Sequence, residues 1–266
     1  MRPDDQEVVR RPRTPAAGVL ELQRVAGNRA VGRVLARKAA TPTFQLLIAD
    51  EGAHGLSDSI VKDALPGVRD ELARITKDSS VDAVKAGIDV RYVKTPPERN
   101  DDFTRSLGRT TFLIFLTRGN DPKHAVEVMW RYIPMDEENR KAAEKKFKQS
   151  MASEGGVDLG LTPDRRRRSQ SIGFVSSEAP LKELKKSGAG AASASAVLAD
   201  VILHELGHAL GHNASLASMD HDKSGIMEAQ LVLGSSGAHQ LRKFSNASAK
   251  IIRDRLEELA GKLARK

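Results

Sequence analysis

The amino-acid sequence predicts an α+β domain built around one long helix and preceded by a flexible basic leader, with an order of strands and helices compatible with a mixed twisted sheet packed on that helix. Three observations carry this expectation. Strand-like and helix-like segments alternate from Phe44 onward. The segment Val197 to Leu210 is apolar on nearly every face yet holds two histidines and a glutamate, as a largely buried helix with a chemical task would. The first forty residues hold nine Lys/Arg against four Asp/Glu, which is +5 of the formal net charge of +8. A length of 266 residues suits one domain of ordinary size plus a tail, so the division is residues 1–42 as leader and 43–266 as domain.

The leader begins as a flexible arm, with Pro3, Pro12 and Pro15 among its arginines. Inside it, Val19 to Val31, reaching toward Leu35, reads as a short helix with Leu20, Val31, Val34 and Leu35 on an apolar face. After a linker at Arg37 to Thr43, Phe44 to Ala49 reads as a buried strand and Ser57 to Thr76 as a helix. Ile88 to Val93 alternates as a strand, Thr110 to Thr117 is β-branched and aromatic, and Ala125 to Ile133 is expected to be a further strand. A charged helix is expected from Asp136 to Gln149. Arg165 to Arg168 form four consecutive arginines in a loop, which is either solvated or turned toward an acidic partner. Ser169 to Ser177 is expected to be a strand, with an exposed edge position beside the cleft as one option and an ordinary place in the sheet as the other. Gly188 to Ala196, rich in Gly, Ala and Ser, reads as a flexible connection. Ser248 to Leu263 places Ile251, Ile252, Leu256, Leu259 and Leu263 at helical spacing and reads as a packing helix.

Within the long apolar helix, His204-Glu205-Leu206-Gly207-His208 concentrates the chemistry. Residues four apart share a helix face, with Cβ atoms roughly 5–6 Å apart, so two imidazoles there can each donate a nitrogen to one metal ion at about 2.1 Å. Glu205 stands beside the first histidine. A carboxylate there can take a proton from water at an open coordination position and pass it to a leaving amine. The chain has no cysteine, so every zinc ligand must be nitrogen or oxygen. A catalytic zinc normally has three protein ligands, and a third must therefore come from elsewhere.

Extended downstream, the motif runs His204-Glu-Leu-Gly-His208-Ala-Leu-Gly211-His212-Asn-Ala214, then Asp220-His221-Asp222-Lys-Ser224-Gly225-Ile226-Met227-Glu228. This resembles the metzincins, zinc-dependent endopeptidases with the pattern His-Glu-x-x-His-x-x-Gly-x-x-His and a downstream turn that sets a methionine beneath the metal. The resemblance implies a zincin-like catalytic domain, one Zn2+ held by His204 and His208, Glu205 as general base, Gly211 as the glycine that ends the helix, and Met227 as the methionine of the turn. One departure stands out. Ala214 occupies the family's third-ligand position and cannot bind metal. In a straight helix His212 would lie about 12 Å along the axis from His204, too far to share an ion unless the helix breaks at Gly211. His221 follows an eight-residue excursion and stands just before the turn, as third ligands do in that family. His221 is the preferred third ligand, with His212 as the alternative and Glu228 or a neighbouring aspartate behind both.

Leu22 to Val31 is similar to a short segment, Leu-Gln-Arg-x-Ala-Gly-Asn-Arg-Ala-Val, found near the N-terminus of bacterial proteins associated with extracellular contractile injection systems. Such segments are thought to mark cargo for loading, so residues 19–36 imply contact with the injection tube or its loading machinery, and a delivered effector or toxin. The longest wholly apolar run, near Phe112 to Leu116, falls far short of the 18 or so residues of a membrane helix, and the N-terminus lacks the apolar stretch of a signal peptide. Synthesis in the bacterial cytoplasm, no membrane span, and export or delivery by an injection system are the expectations. With seven Phe, two Tyr and one Trp and no recognisable module, nucleic-acid binding ranks lowest. The expected function is hydrolysis of a protein or peptide substrate. The alternative is an injection-associated structural protein whose zinc site is closed by a fourth protein ligand.

Overall fold

The computed structural model describes residues 44–50, 54–118, 121–132, 136–154, 156–159, 172–185, 190–211, 225–228 and 238–265. In chain order the elements are β1 (Phe44–Asp50), α1 (Asp58–Thr76), α2 (Asp82–Lys85), β2 (Ile88–Val93), α3 (Asp101–Ser106), β3 (Thr111–Thr117), α4 (Pro122–Tyr132), α5 (Glu137–Glu154), β4 (Gly156–Leu159), β5 (Ile172–Ser176), α6 (Glu178–Leu184), α7 (Ala191–Gly211) and α8 (Asn246–Ala264). The leader, the Arg165 to Arg168 run, His212, Ala214 and His221 lie outside the described residues.

The strands form one mixed sheet in the order β2-β1-β3-β5-β4. β2, β1, β3 and β5 run parallel, and β4 pairs antiparallel with β5 at the edge. Parallel neighbours require crossover connections, and the helices between strands supply them. A strand covered on both faces loses the alternation of a half-exposed one. β3 shows this, since all seven of its residues are buried. Its side chains divide by parity: Phe112, Ile114 and Leu116 enter one core, and Leu113 and Phe115 enter the other. The first core is closed by α1, α7 and α8, and the second by α4 and α5, with Phe115 stacked on Phe174 at 5.4 Å between ring centroids. Each fully buried Leu, Ile or Phe contributes about 1.5–3 kcal/mol relative to exposure.

Two expectations need correction. Ala125 to Ile133 was expected as a strand, but Pro122–Tyr132 is helical, with Ala125, Val126, Val128, Met129 and Tyr132 buried on one face. Their spacing fits a helix, and Asp121-Pro122 starts it: the Asp121 carboxylate accepts from the amides of Lys123 and His124, both at 3.1 Å. The proposed connection at Gly188 to Ala196 is helical from Ala191, and Ser193, Ala194 and Ser195 are buried. The Ser195 hydroxyl donates to the Ile60 carbonyl at 3.1 Å, so these small residues allow α7 to approach α1 rather than flex. Of the two options for the strand within Ser169 to Ser177, the ordinary place in the sheet holds: β5 lies between β3 and β4. An edge strand needs only one bonding partner, whereas the five residues of β5 are all buried and four of them, Ile172 to Val175, are paired on both sides.

At the C-terminal end of β1, Asp50 accepts from Tyr92 Oη at 3.0 Å and from His54 Nε2 at 3.1 Å. Burial, and then the hydrogen bond to Asp50, push the Tyr92 phenol well above its ordinary value of about 10. A raised folded-state value favours the protonated form. The resulting stability is therefore complete below the unfolded-state value of about 10 and is lost as the pH rises beyond it. In an absorbance titration, phenolate should appear at Tyr92 later than in the unfolded chain, and Tyr92→Phe should flatten the alkaline limb of the stability curve. Ionisation of Tyr92 at the ordinary phenol value would contradict this.

Candidate metal centre

Helix α7 explains how the motif is held. Ala191 to Gly211 contains only four ionisable side chains, Asp200, His204, Glu205 and His208. The helix is enclosed by α1 and α6 at its start, by β3, β5 and β4 along one side and by α8 on another. A buried ionisable group is tolerated when it is partnered, so these four side chains should each have a defined use. Asp200 is fully buried, Glu205 is 1% exposed and His204 is 6% exposed. His208, one turn beyond His204, is half-buried.

The two imidazoles meet edge to face, with ring centroids 4.7 Å apart. His204 Nδ1 lies 2.8 Å from the Ile226 carbonyl oxygen. A carbonyl can only accept, so Nδ1 carries the proton and Nε2 presents its lone pair. That Nε2 lies 3.0 Å from His208 Nε2. With His204 Nε2 as acceptor, His208 Nε2–H donates to it, and the 3.0 Å separation is close to the about 3.3 Å between two nitrogens bound tetrahedrally to one zinc at about 2.0–2.1 Å. A carbonyl holding the other ring nitrogen is also the usual support of a metal-binding histidine.

The Ile226 carbonyl belongs to the Gly225–Glu228 turn, closed by Glu228 N–H donating to the Gly225 carbonyl at 3.2 Å. Met227 follows and is fully buried. A Cβ added at Gly207, between the two histidines, would overlap the Met227 sulfur and come within 3.1 Å of the Phe244 ring. The methionine therefore packs directly against the helix turn that carries both imidazoles, and only a glycine at 207 leaves space for it. On the opposite side, a Cβ at Gly173 of β5 would lie 3.6 Å from Glu205 Cβ, so the sheet floor is bare where the glutamate meets it.

The structure thus brings together His204, His208, Glu205 and Met227, with Gly211 as the last residue of α7. Glu228 turns away: its Oε2 pairs with Arg242 Nη1 at 3.2 Å, and among the described residues no group of three His, Asp or Glu forms. The two preferred third ligands, His221 and His212, lie outside those residues.

Sequence reasoning missed the residues behind the turn. Lys243 carbonyl accepts from Ile226 N–H at 3.1 Å, which docks the turn on residues 239–244. Asp200 holds that segment through Arg242 N–H at 2.9 Å, Arg242 Nε at 2.8 Å and His239 Nε2 at 2.7 Å. Glu71 of α1, 4% exposed, holds its other end through Phe244 N–H at 2.7 Å and also receives both Arg74 Nε at 2.8 Å and Arg74 Nη2 at 2.7 Å. The Glu71 carboxylate raises the Arg74 guanidinium above its ordinary value, chiefly through this hydrogen bonding. One signal was available: Asp200 is the only charge in the first three turns of the helix, and a charge on a helix this apolar needs a buried partner.

A scan against protein-family models finds no match for this chain, and a search of curated proteins finds none either.

Proposed function

We propose that the protein is a zinc-dependent endopeptidase with a zincin-like, specifically metzincin-like, catalytic domain. The observation that carries this reading is the convergence of His204 Nε2 and His208 Nε2 at 3.0 Å, with the first imidazole pinned through Nδ1 to the turn that carries Met227. His204 and His208 would hold the ion, with His221 or, failing it, His212 as the third ligand. Zinc bound there supplies Lewis acidity toward the scissile carbonyl and the attacking water.

The chain's own residues move the proton. Glu205 takes it from water as the oxygen bonds to the carbonyl carbon, then delivers it to the amine nitrogen as the carbon–nitrogen bond breaks. It is buried on α7 where the sheet floor is bare at Gly173, which keeps it out of bulk water and suits a group that must serve first as base and then as acid. Delivery as an effector or toxin by a contractile injection system is part of the same proposal, and its support is the segment Leu22 to Val31. No helix among the described residues is long and apolar enough to cross a membrane.

His208→Ala tests the ligand assignment. The substitution removes one of two converging nitrogens at a half-buried position, so the fold should persist while zinc and peptide cleavage are both lost. Metal analysis after gel filtration, beside circular dichroism, reads both. A variant that kept its zinc would remove His208 from the site.

A further inference from the structure

Helix α7 is linked to itself by a closed path through two other segments. The path leaves the helix at Asp200, whose carboxylate accepts from the Arg242 amide and guanidinium. It continues along the backbone to the Lys243 carbonyl, which accepts from Ile226 N–H at 3.1 Å. It returns through the Ile226 carbonyl to His204 Nδ1 at 2.8 Å, one helical turn beyond its origin. Arg242 also reaches the turn directly, through Nη1 to Glu228 at 3.2 Å. His239 fills the remaining space at Asp200, and its own amide donates to Ser193 Oγ at 2.6 Å, near the start of the same helix.

The geometry points to Asp200 as a positioning residue for the His204 imidazole: through Arg242 and the docked turn it fixes which ring nitrogen carries the proton and where the other one points. This rests on the reading of His204 and His208 as metal ligands. Three features distinguish the arrangement from ordinary packing. Asp200 is fully buried and its carboxylate receives three donors, all from residues 239–242, so its bonding is committed to that segment. The segment bonds to the turn through both its backbone and the Arg242 side chain. The turn, in turn, presents a carbonyl to the one imidazole nitrogen whose protonation decides whether Nε2 can bind a metal. Partners of this kind, one step removed from the ligand, typically govern 10–100-fold of metal affinity.

Asp200→Asn in the full chain tests this. The amide keeps the shape of the side chain but turns one acceptor into a donor facing Arg242 or His239. Two quantities are read: the His204 tautomer by nitrogen-15 NMR of metal-free, histidine-labelled protein, and zinc affinity by competition with a chromophoric chelator. The wild type should show His204 as the Nδ1–H tautomer. The variant should show a mixture, and zinc affinity about 10–100-fold weaker. Ile252→Val, a core change in α8 that removes none of these hydrogen bonds, serves as a destabilised control and should alter neither quantity. If Asp200→Asn does not fold, Arg242→Gln, at a partly exposed position, removes the guanidinium bonds to Asp200 and Glu228, weakens the same path and should move both quantities in the same direction. A folded variant with wild-type tautomer and wild-type affinity overturns the proposal. Absence of zinc binding in the wild type, with the tautomer still released by Asp200→Asn, would instead overturn the ligand reading and leave the positioning role standing.

Discussion

Glu205→Gln is expected to retain zinc and to lose peptide hydrolysis by about 10²–10⁴-fold, the range that positioned acid–base catalysis provides. The amide matches the carboxylate in shape, so the packing of α7 against β5 at Gly173 should be preserved. The nitrogens proposed to bind the metal belong to His204 and His208, one residue before and three residues after it, and their convergence does not depend on the glutamate. An amide has almost no basicity, so it cannot take the proton from water. Zinc stoichiometry equal to wild type, an unchanged melting temperature and absent cleavage are therefore expected together. Cleavage within a few-fold of wild type in the glutamine variant would exclude Glu205 as the general base, whatever the metal content.

Gly225→Ala should cause the largest loss of stability among single-atom additions near the site. Gly225 has φ of +84°, in the left-handed region, and an added Cβ would overlap the Lys243 carbonyl oxygen, which is backbone and cannot rotate away. Backbone strain alone costs about 1–3 kcal/mol. Gly87 provides an internal control, because its φ is +86° but nothing lies within 4 Å of an added Cβ. Gly87→Ala should therefore show the strain alone, a fall of a few degrees in melting temperature for a domain of this size, with zinc affinity unchanged. Gly225→Ala should fall further and should also weaken zinc binding, because the Ile226 carbonyl next to it is the partner of His204 Nδ1. Equal losses from the two substitutions, with zinc affinity unaffected in both, would show that the 225–228 turn does not support the site.

The residues most legible in the sequence were those whose local pattern already contains their reason. The strands at Phe44, Ile88 and Thr111, the helices after Ser57 and within Ser248 to Leu263, and the histidine spacing on α7 all follow from periodicity or from i, i+4 geometry. Pro122–Tyr132 was misread because its valines and aromatics favour a strand by composition, while the decisive signals were the Asp121-Pro122 start and a spacing of three and four. Gly188 to Ala196 was misread for a related reason. Small residues look flexible in isolation, but on a buried helix they mark close approach to a neighbour, which only the tertiary structure discloses. The interior place of β5 is a property of strand order, to which one strand's sequence is blind. Glu71, Asp200, His239 and Arg242 form a site-supporting unit from positions separated by up to 171 residues, and no local pattern joins them. The expectations for the leader and for the third ligand concern residues outside those the structure describes.

If the His204–His208 pair holds a hydrolytic zinc, cleavage must follow the metal content of the protein. Full-length protein is stripped with a chelator, restored with zinc, and assayed at each stage for zinc content and for cleavage of a broad, unbiased peptide library. One zinc per chain, loss of cleavage on stripping, and return of cleavage in proportion to zinc restored are expected of a hydrolytic zinc site. Zinc that binds stoichiometrically while no peptide in the library is cut would contradict it and favour a closed structural site, and cleavage that survives complete removal of the metal would contradict it outright.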